Sequence, residues 1–189
     1  MIVNNDDLVL KIEEWNDKIS KNKELLEVAL FKIFIEFEKF LTHAFLSYAL
    51  GKEGKNNFSP ILRINFEDKE QLQGILKCDN LYIDYIKKIP KIKKFIFDES
   101  SCPFHKVSLD PKFNTLFNEI QAIRNFFAHE SEESKLKYKN NVLRAYNIST
   151  YIDINNFLSK TNKQHISYYS LYVNAIKFYS EVICDPRSE

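Results

Sequence analysis

A chain of 189 residues with 44% hydrophobic side chains is long enough to bury a core and too apolar to be a disordered segment. Lys+Arg 27 against Asp+Glu 26 leaves a formal charge of +1, which excludes strong global attraction to nucleic acid, so any RNA contact has to come from a local patch. Only 3 Gly and 5 Pro speak against a many-stranded sandwich and for long helices.

Three cysteines, Cys78, Cys102 and Cys184, are odd in number, widely spaced and without a C-x-x-C pair. No zinc or disulfide framework is expected, no metal or other cofactor is called for, and a reducing cytoplasm fits. The opening residues carry acids early and lack the basic-then-apolar run of a signal peptide. No run of about 18 uncharged apolar residues is present, so no membrane partner is expected.

In chain order, Leu8, Ile12, Trp15 and Ile19 repeat at helical spacing, with Asn5 or Asp6 placed to cap the first helix. After a break at residues 20–22, a second helix of about 28 residues, roughly 42 Å long, runs to a C-cap at Gly51. Leu30, Phe34, Phe37, Leu41 and Phe45 form its apolar stripe. Glu38 projects into that stripe, while Glu36 and His43 project to the wet side. A carboxylate in an apolar stripe is costly unless paired. Arg124 is the partner the sequence offers most readily, and a rim position or a backbone donor is the alternative.

Residues 52–66 read as a loop with a short extended piece, followed by a third helix from Lys69 to about Lys77 capped by Asp68. The next helical stretch, with Asp79 or Asn80 as cap, contains Pro90, which predicts a kink or a split. Its lysines, Lys87, Lys88, Lys91, Lys93 and Lys94, form the densest basic run in the chain. They read either as a solvated face or as a phosphate-contacting patch for an RNA strand. Residues 98–113 are an irregular connector in which Asp110 and Pro111 supply the N-cap and first position of the next helix.

That helix carries Ala122-Ile123-Arg124-Asn125-Phe126-Phe127-Ala128-His129-Glu130-Ser131 at its end. At about 100° per residue, Phe113, Leu116, Phe117, Ile120, Ile123 and Phe127 face the core. Asn118, Gln121, Ala122, Asn125 and His129 share a second, small and polar face. Asn125 and His129 are helix neighbours, whereas Arg124 and His129 lie roughly 140° apart around the axis. One helix does not bring those two side chains together, so a site using both is easier to build from two copies across a two-fold axis. A homodimer with this face at its centre is the expectation.

Beyond His129 the chain either continues as helix through Lys135, Tyr138 and Val142 or turns at the serines. Residues 148–158 read as a short amphipathic helix or an extended segment, with helix favoured over 151–160. A last helix over 166–183 is expected to bury Tyr168, Leu171, Ala175, Phe178 and Val182, and the tail from about 185 to be loose. The architecture predicted is all-α, an antiparallel helical bundle with extra short helices, in a single domain spanning 1–189.

The Arg-Asn pair followed by three residues and His129 resembles the R-x(4–6)-H signature of the HEPN superfamily. The "AHES" and "SKLKY" segments after it, the helix "FKIFIEFEKFLTHAFLSYALG" and the "CPF" before it are similar to one prokaryotic branch of that superfamily. The resemblance extends from about Leu8 to Val182. It implies a HEPN-like fold and a metal-independent endoribonuclease that works as a dimer. It also implies a 2′,3′-cyclic phosphate product, one cleft made from two Arg124–His129 sets, and a role in toxin or phage-defence systems, with an antitoxin or defence-system partner left open. The branch paired with a nucleotidyltransferase carries Tyr two residues after the His. Ser131 stands there in this chain, which argues against that pairing.

The residue types suit this chemistry. Cleavage through the 2′-OH needs one group to accept its proton and another to protonate the leaving oxygen, and histidine serves either task near neutrality. A guanidinium holds the charge that builds on the phosphate oxygens. Asn125 donates to a phosphate oxygen or orients the imidazole. His43, His105 and His165 lie on a wet face or in loops, and no acidic or His/Cys cluster has metal-ligand spacing. Two further classes stay open: a non-cutting RNA- or nucleotide-binding module, and a regulatory dimer.

Overall fold

The computed structural model describes residues 2–77 and 85–187, and of 75–77 and 85–87 the backbone alone. Cys78 and the cap expected at Asp79 or Asn80 lie outside the described residues. In chain order the helices are α1 (Asp6–Lys21), α2 (Leu26–Ala49), α3 (Lys69–Lys77), α4 (Tyr85–Ile96), α5 (His105–Leu109), α6 (Pro111–His129), α7 (Glu132–Tyr138), α8 (Ile154–Ser159) and α9 (Tyr168–Cys184). Among the described residues there is no β-strand, only isolated antiparallel bridges at Leu62–Phe97 and Thr161–Ser167. The fold is all-α, as expected from the sequence.

The local signals explain most helix ends. Asn22 caps the turn before α2, its side chain accepting from the Glu24 amide at 2.9 Å. The far end of α2 closes on Gly51, whose φ of 74° no branched residue adopts without strain. The Gly51 amide donates to the Tyr48 carbonyl at 2.9 Å and the Lys52 amide to the Ser47 carbonyl at 3.0 Å, the Schellman pattern. α2 therefore spans 24 residues, shorter than the spacing suggested, mainly because residues 23–25 form a separate 3-10 turn. Asp68 caps α3 through the Gln71 amide at 2.8 Å.

Several expectations need correction. Pro90 does not split its helix: α4 runs through it. The proline sits in the second turn, so the carbonyl it orphans, that of Ile86, belongs to the helix's first turn. Asn5 precedes α1, but its side chain is engaged elsewhere, donating to Ser180 Oγ and accepting from Lys55 Nζ, each at 2.9 Å. The connector before α6 includes a 3-10 turn capped by Asp98 and the five-residue α5. The tail is held as far as residue 187: Asn56 Nδ2 donates to Asp185 Oδ2 at 2.6 Å, and Arg187 donates to the Asn56 carbonyl with its guanidinium over Phe58.

The chain forms two compact units. The first comprises residues 1–6, 37–110 and 178–189, the second 7–36 and 111–177. Their boundaries fall at the first residue of α1, after Asp6, inside α2, after Glu36, just before α6, after Asp110, and inside α9, after Lys177. The first unit is built on an aromatic cluster of Phe45, Tyr48, Phe97 and Phe104, with ring centroids 5.7 to 6.3 Å apart. The Tyr48 hydroxyl donates to the Ile183 carbonyl at 2.8 Å. The second unit packs Phe34 on Phe117 at 6.2 Å and stacks Phe157 on Tyr168 at 4.7 Å. Among the described residues no helix is long and apolar enough to cross a membrane.

The α2 stripe is buried as its spacing requires: Leu30, Phe34, Phe37, Leu41 and Phe45 are at most 2% exposed. Glu36, expected on the wet side, is half-buried, while His43 is exposed. α9 turns a different side inward. Of the expected face only Tyr168 is buried, and Phe178 is 56% exposed. Tyr169, Tyr172, Ile176, Tyr179 and Ile183 are inside instead, each one residue after an expected one, an arc rotated by about 100°.

Candidate functional site

α6 is positioned from both ends. Pro111 stands at its first position, where the missing amide proton costs nothing and the fixed φ suits the helix. Phe113, Phe117, Ile120 and Ile123 are buried; the Phe113 and Phe117 rings meet at 4.3 Å, and Phe127 packs on Phe31 at 4.9 Å. On the expected polar side, Asn118 and His129 are exposed and Gln121 and Asn125 half-buried. Ala122 alone is fully inside, at 5% exposure.

At the helix end, Arg124 and Asn125 are brought together. Arg124 folds back so that Nη1 donates to Asn125 Oδ1 at 2.9 Å. Neighbours one residue apart do not face each other on a helix; the length of the arginine makes the contact. Its consequence is directional. The amide oxygen of Asn125 is taken by a cation, which leaves the amide NH2 as the group available for an outside acceptor. His129, five residues on, is exposed.

The corner after His129 is firmly made. Glu130 takes a φ of 46° and its amide donates to the Phe126 carbonyl at 2.9 Å. Ser131 then caps α7, its Oγ accepting from the Ser134 amide at 3.2 Å. The chain therefore turns at the serines and does not continue as one helix. Phe126 stacks on Tyr138 with centroids at 5.4 Å and planes 17° apart, and the Tyr138 hydroxyl donates to the Ile152 carbonyl at 3.3 Å. The imidazole thus sits at a corner whose two helices are bound to each other by a stacked aromatic pair.

The other candidates are placed as follows. Glu38 belongs to the first unit and Arg124 to the second. Glu38 is half-buried on α2, with its carbonyl accepting from the Thr42 hydroxyl at 2.9 Å. Among the lysines of α4, Lys91 and Lys94 are exposed and Lys88 is half-buried. Lys93 is drawn to the side, donating to Ser108 Oγ. The Lys87 side chain lies outside those described.

One residue of α6 escaped the sequence reading. Glu119 is 4% exposed, and its Oε2 accepts from the hydroxyls of Tyr146 and Tyr172, each at 2.9 Å. Burial pushes its carboxyl above the ordinary range, and the two hydroxyl donors pull more weakly the other way. Its donors come from residues 27 and 53 positions away, so no local pattern announces them.

Among the described residues no group of three or more His, Cys, Asp or Glu could hold a metal ion. A cavity of about 420 Å³ lies in the second unit, lined by residues that include Asn16, Ser20, Lys23, Ser159, Ser167 and Tyr169. Arg124, Asn125 and His129 are not among its lining residues. No protein-family model, no curated protein and no solved structure matches the chain.

Proposed function

We propose that this chain is a metal-independent endoribonuclease of the HEPN kind, active as a homodimer whose two Arg124, Asn125 and His129 sets face one scissile phosphodiester. The observation that carries the reading is the Arg124–Asn125 hydrogen bond beside an exposed His129. A cation, an amide whose oxygen is engaged and an imidazole thus share the last two turns of one helix, which supports the reading.

The reaction needs no nucleophile from the protein. One imidazole accepts the proton of the ribose 2′-OH, and the 2′ oxygen attacks phosphorus. The bond from phosphorus to the 5′ oxygen breaks, and the second protomer's imidazolium gives that oxygen its proton. The products are a 2′,3′-cyclic phosphate and a 5′-hydroxyl. The guanidinium and the Asn125 NH2 donate to the non-bridging oxygens, where charge grows in the transition state. The biological setting that fits is a toxin or defence effector, in which an antitoxin or system partner restrains the cutting.

The test is incubation of purified protein with structured RNA in EDTA. Cutting that persists in EDTA and disappears in both Arg124→Ala and His129→Ala supports the nuclease. RNA retained without cleavage supports a binding module instead, and no effect on RNA leaves a regulatory dimer. A protein that is monomeric by light scattering at working concentration removes the shared cleft.

A further inference from the structure

The first unit presents an exposed aromatic among lysines. Phe95 is 60% exposed near the end of α4. Lys94 Nζ lies 5.1 Å from the centre of its ring, and the exposed Lys91 is one turn back on the same helix face. From Tyr85 to Ile96 the helix contains five lysines and no acid. The antiparallel bridge Leu62–Phe97 brings a second segment alongside. There the Arg63 amide donates to the Ile96 carbonyl at 2.8 Å and Arg63 Nη1 to the Lys94 carbonyl at 3.2 Å. Ile61 and Ile64, on the same segment, are 61% and 47% exposed. Asp98 faces Arg63 at 3.5 Å.

We propose that this face, centred on Phe95 with Lys91, Lys94 and Arg63, binds a single-stranded nucleic acid by stacking a base on the Phe95 ring and drawing phosphates to the cations. Naming that strand as RNA rests on the ribonuclease reading above; the stacking surface itself does not. Any base has a π face to offer such a ring, and cations beside it follow a backbone without reading sequence. Two other occupants fit less well. A membrane surface needs an apolar helix face free to insert, and the apolar side of α4 is already buried through Ile89 and Ile96, at 5% and 4% exposure. A second copy would set lysines against lysines across a two-fold axis.

The experiment uses the full chain and a labelled single-stranded oligouridine with 2′-O-methyl riboses, which binds but offers no 2′-OH to attack. Fluorescence anisotropy is read at several salt concentrations. Phe95→Ala weakens binding roughly ten-fold and leaves the salt slope as it was, while Phe95→Trp restores affinity. Lys91→Ala with Lys94→Ala lowers the slope of log K against log salt by about 1.4, at about 0.7 per phosphate. Phe95 is exposed, so its replacement leaves folding intact, as circular dichroism verifies. Equal affinity of wild type and Phe95→Ala overturns the proposal. So does binding to phosphatidylserine vesicles that Phe95→Ala abolishes while the oligonucleotide stays unbound, or a self-association that the same variant removes. Because the probe cannot be cut, failure of cleavage on ordinary RNA and failure of this binding are separate results.

Discussion

The Tyr172 hydroxyl donates to Glu119 Oε2 at 2.9 Å, deep in the second unit, and the Tyr146 hydroxyl reaches the same oxygen at the same distance. A carboxyl with so little solvent would be costly without donors. The two tyrosines supply them and in turn have their own hydroxyls satisfied. Glu119→Ala takes the shared acceptor away from both hydroxyls and is expected to cost about 2–4 kcal/mol in urea unfolding. Tyr172→Phe removes one donor and should cost about 1.5–3 kcal/mol.

The same group makes stability depend on pH. Burial raises the Glu119 carboxyl above its ordinary value of 4.5. Below that value both folded and unfolded chains hold the proton, and the contribution is fully present. As pH rises, the unfolded chain loses its proton first, so the contribution is lost progressively until the raised folded value has been passed. Glu119→Gln cannot titrate. The stability of wild type relative to Glu119→Gln should therefore fall as pH climbs from about 4.5, measured by urea unfolding at matched ionic strength. A difference that rises with pH would contradict a raised carboxyl.

Periodicity identifies the buried face of some helices and fails for others. In α2 and α6 the inward side chains are mostly aliphatic or Phe, and spacing alone picks out Phe34, Phe37, Phe117 and Ile120. α9 carries two apolar stripes, and hydrophobicity favours the one with Leu171 and Phe178. Its neighbour wins because the tyrosines on it find acceptors: Tyr172 at Glu119 and Tyr179 at Asp110 Oδ2, 2.6 Å away. Those acceptors are 53 and 69 residues distant in the chain, so burial of a tyrosine depends on a partner that no local window contains. Glu119 was missed for the same reason. That Arg124, Asn125 and His129 share one helix end was legible in the sequence, but the folding back of Arg124 onto Asn125 follows from side-chain length and not from spacing.

Gly54 is needed for space. Its φ of −93° is open to any residue, but a Cβ there would meet the Tyr48 hydroxyl and the Cys184 carbonyl. The hydroxyl is held by the Ile183 carbonyl and the other obstacle is backbone, so neither gives way easily. Gly54→Ala should destabilise the protein by about 1–3 kcal/mol, with a lower urea midpoint and an unchanged slope. Gly74, whose added Cβ meets nothing within 4 Å, is the control: Gly74→Ala in α3 should be stabilising by roughly 0.5–1 kcal/mol.

The corner after His129 contains one strained residue and one cap, and they should respond in opposite directions. Glu130 holds a φ of 46° without being glycine, so Glu130→Gly relieves a left-handed conformation and should stabilise by about 1 kcal/mol. Ser131→Ala removes the acceptor of the Ser134 amide and should cost about 1 kcal/mol. Thermal melts of the two variants against wild type measure both signs. Equal shifts in one direction would mean that the corner is not set by these residues.

A cleft shared between protomers makes a demand that a one-chain site does not. The reaction uses one imidazole from each protomer, so a cleft with a single imidazole lacks either its base or its acid. Wild type and His129→Ala, mixed, unfolded together and refolded, form heterodimers of that kind, and native mass spectrometry confirms them. Their EDTA-resistant cutting should fall by about 10²-fold or more below that of the wild-type homodimer. Heterodimers that keep half of the wild-type cutting would mean that each chain carries a complete site, and would remove the shared cleft. Arg124→Lys gives a second handle on the same arrangement. A single ammonium cannot both hold Asn125 Oδ1, as Arg124 does at 2.9 Å, and present a fork of donors to a phosphate. Its cutting rate should fall by roughly 10²-fold or more, with the fold unchanged by circular dichroism.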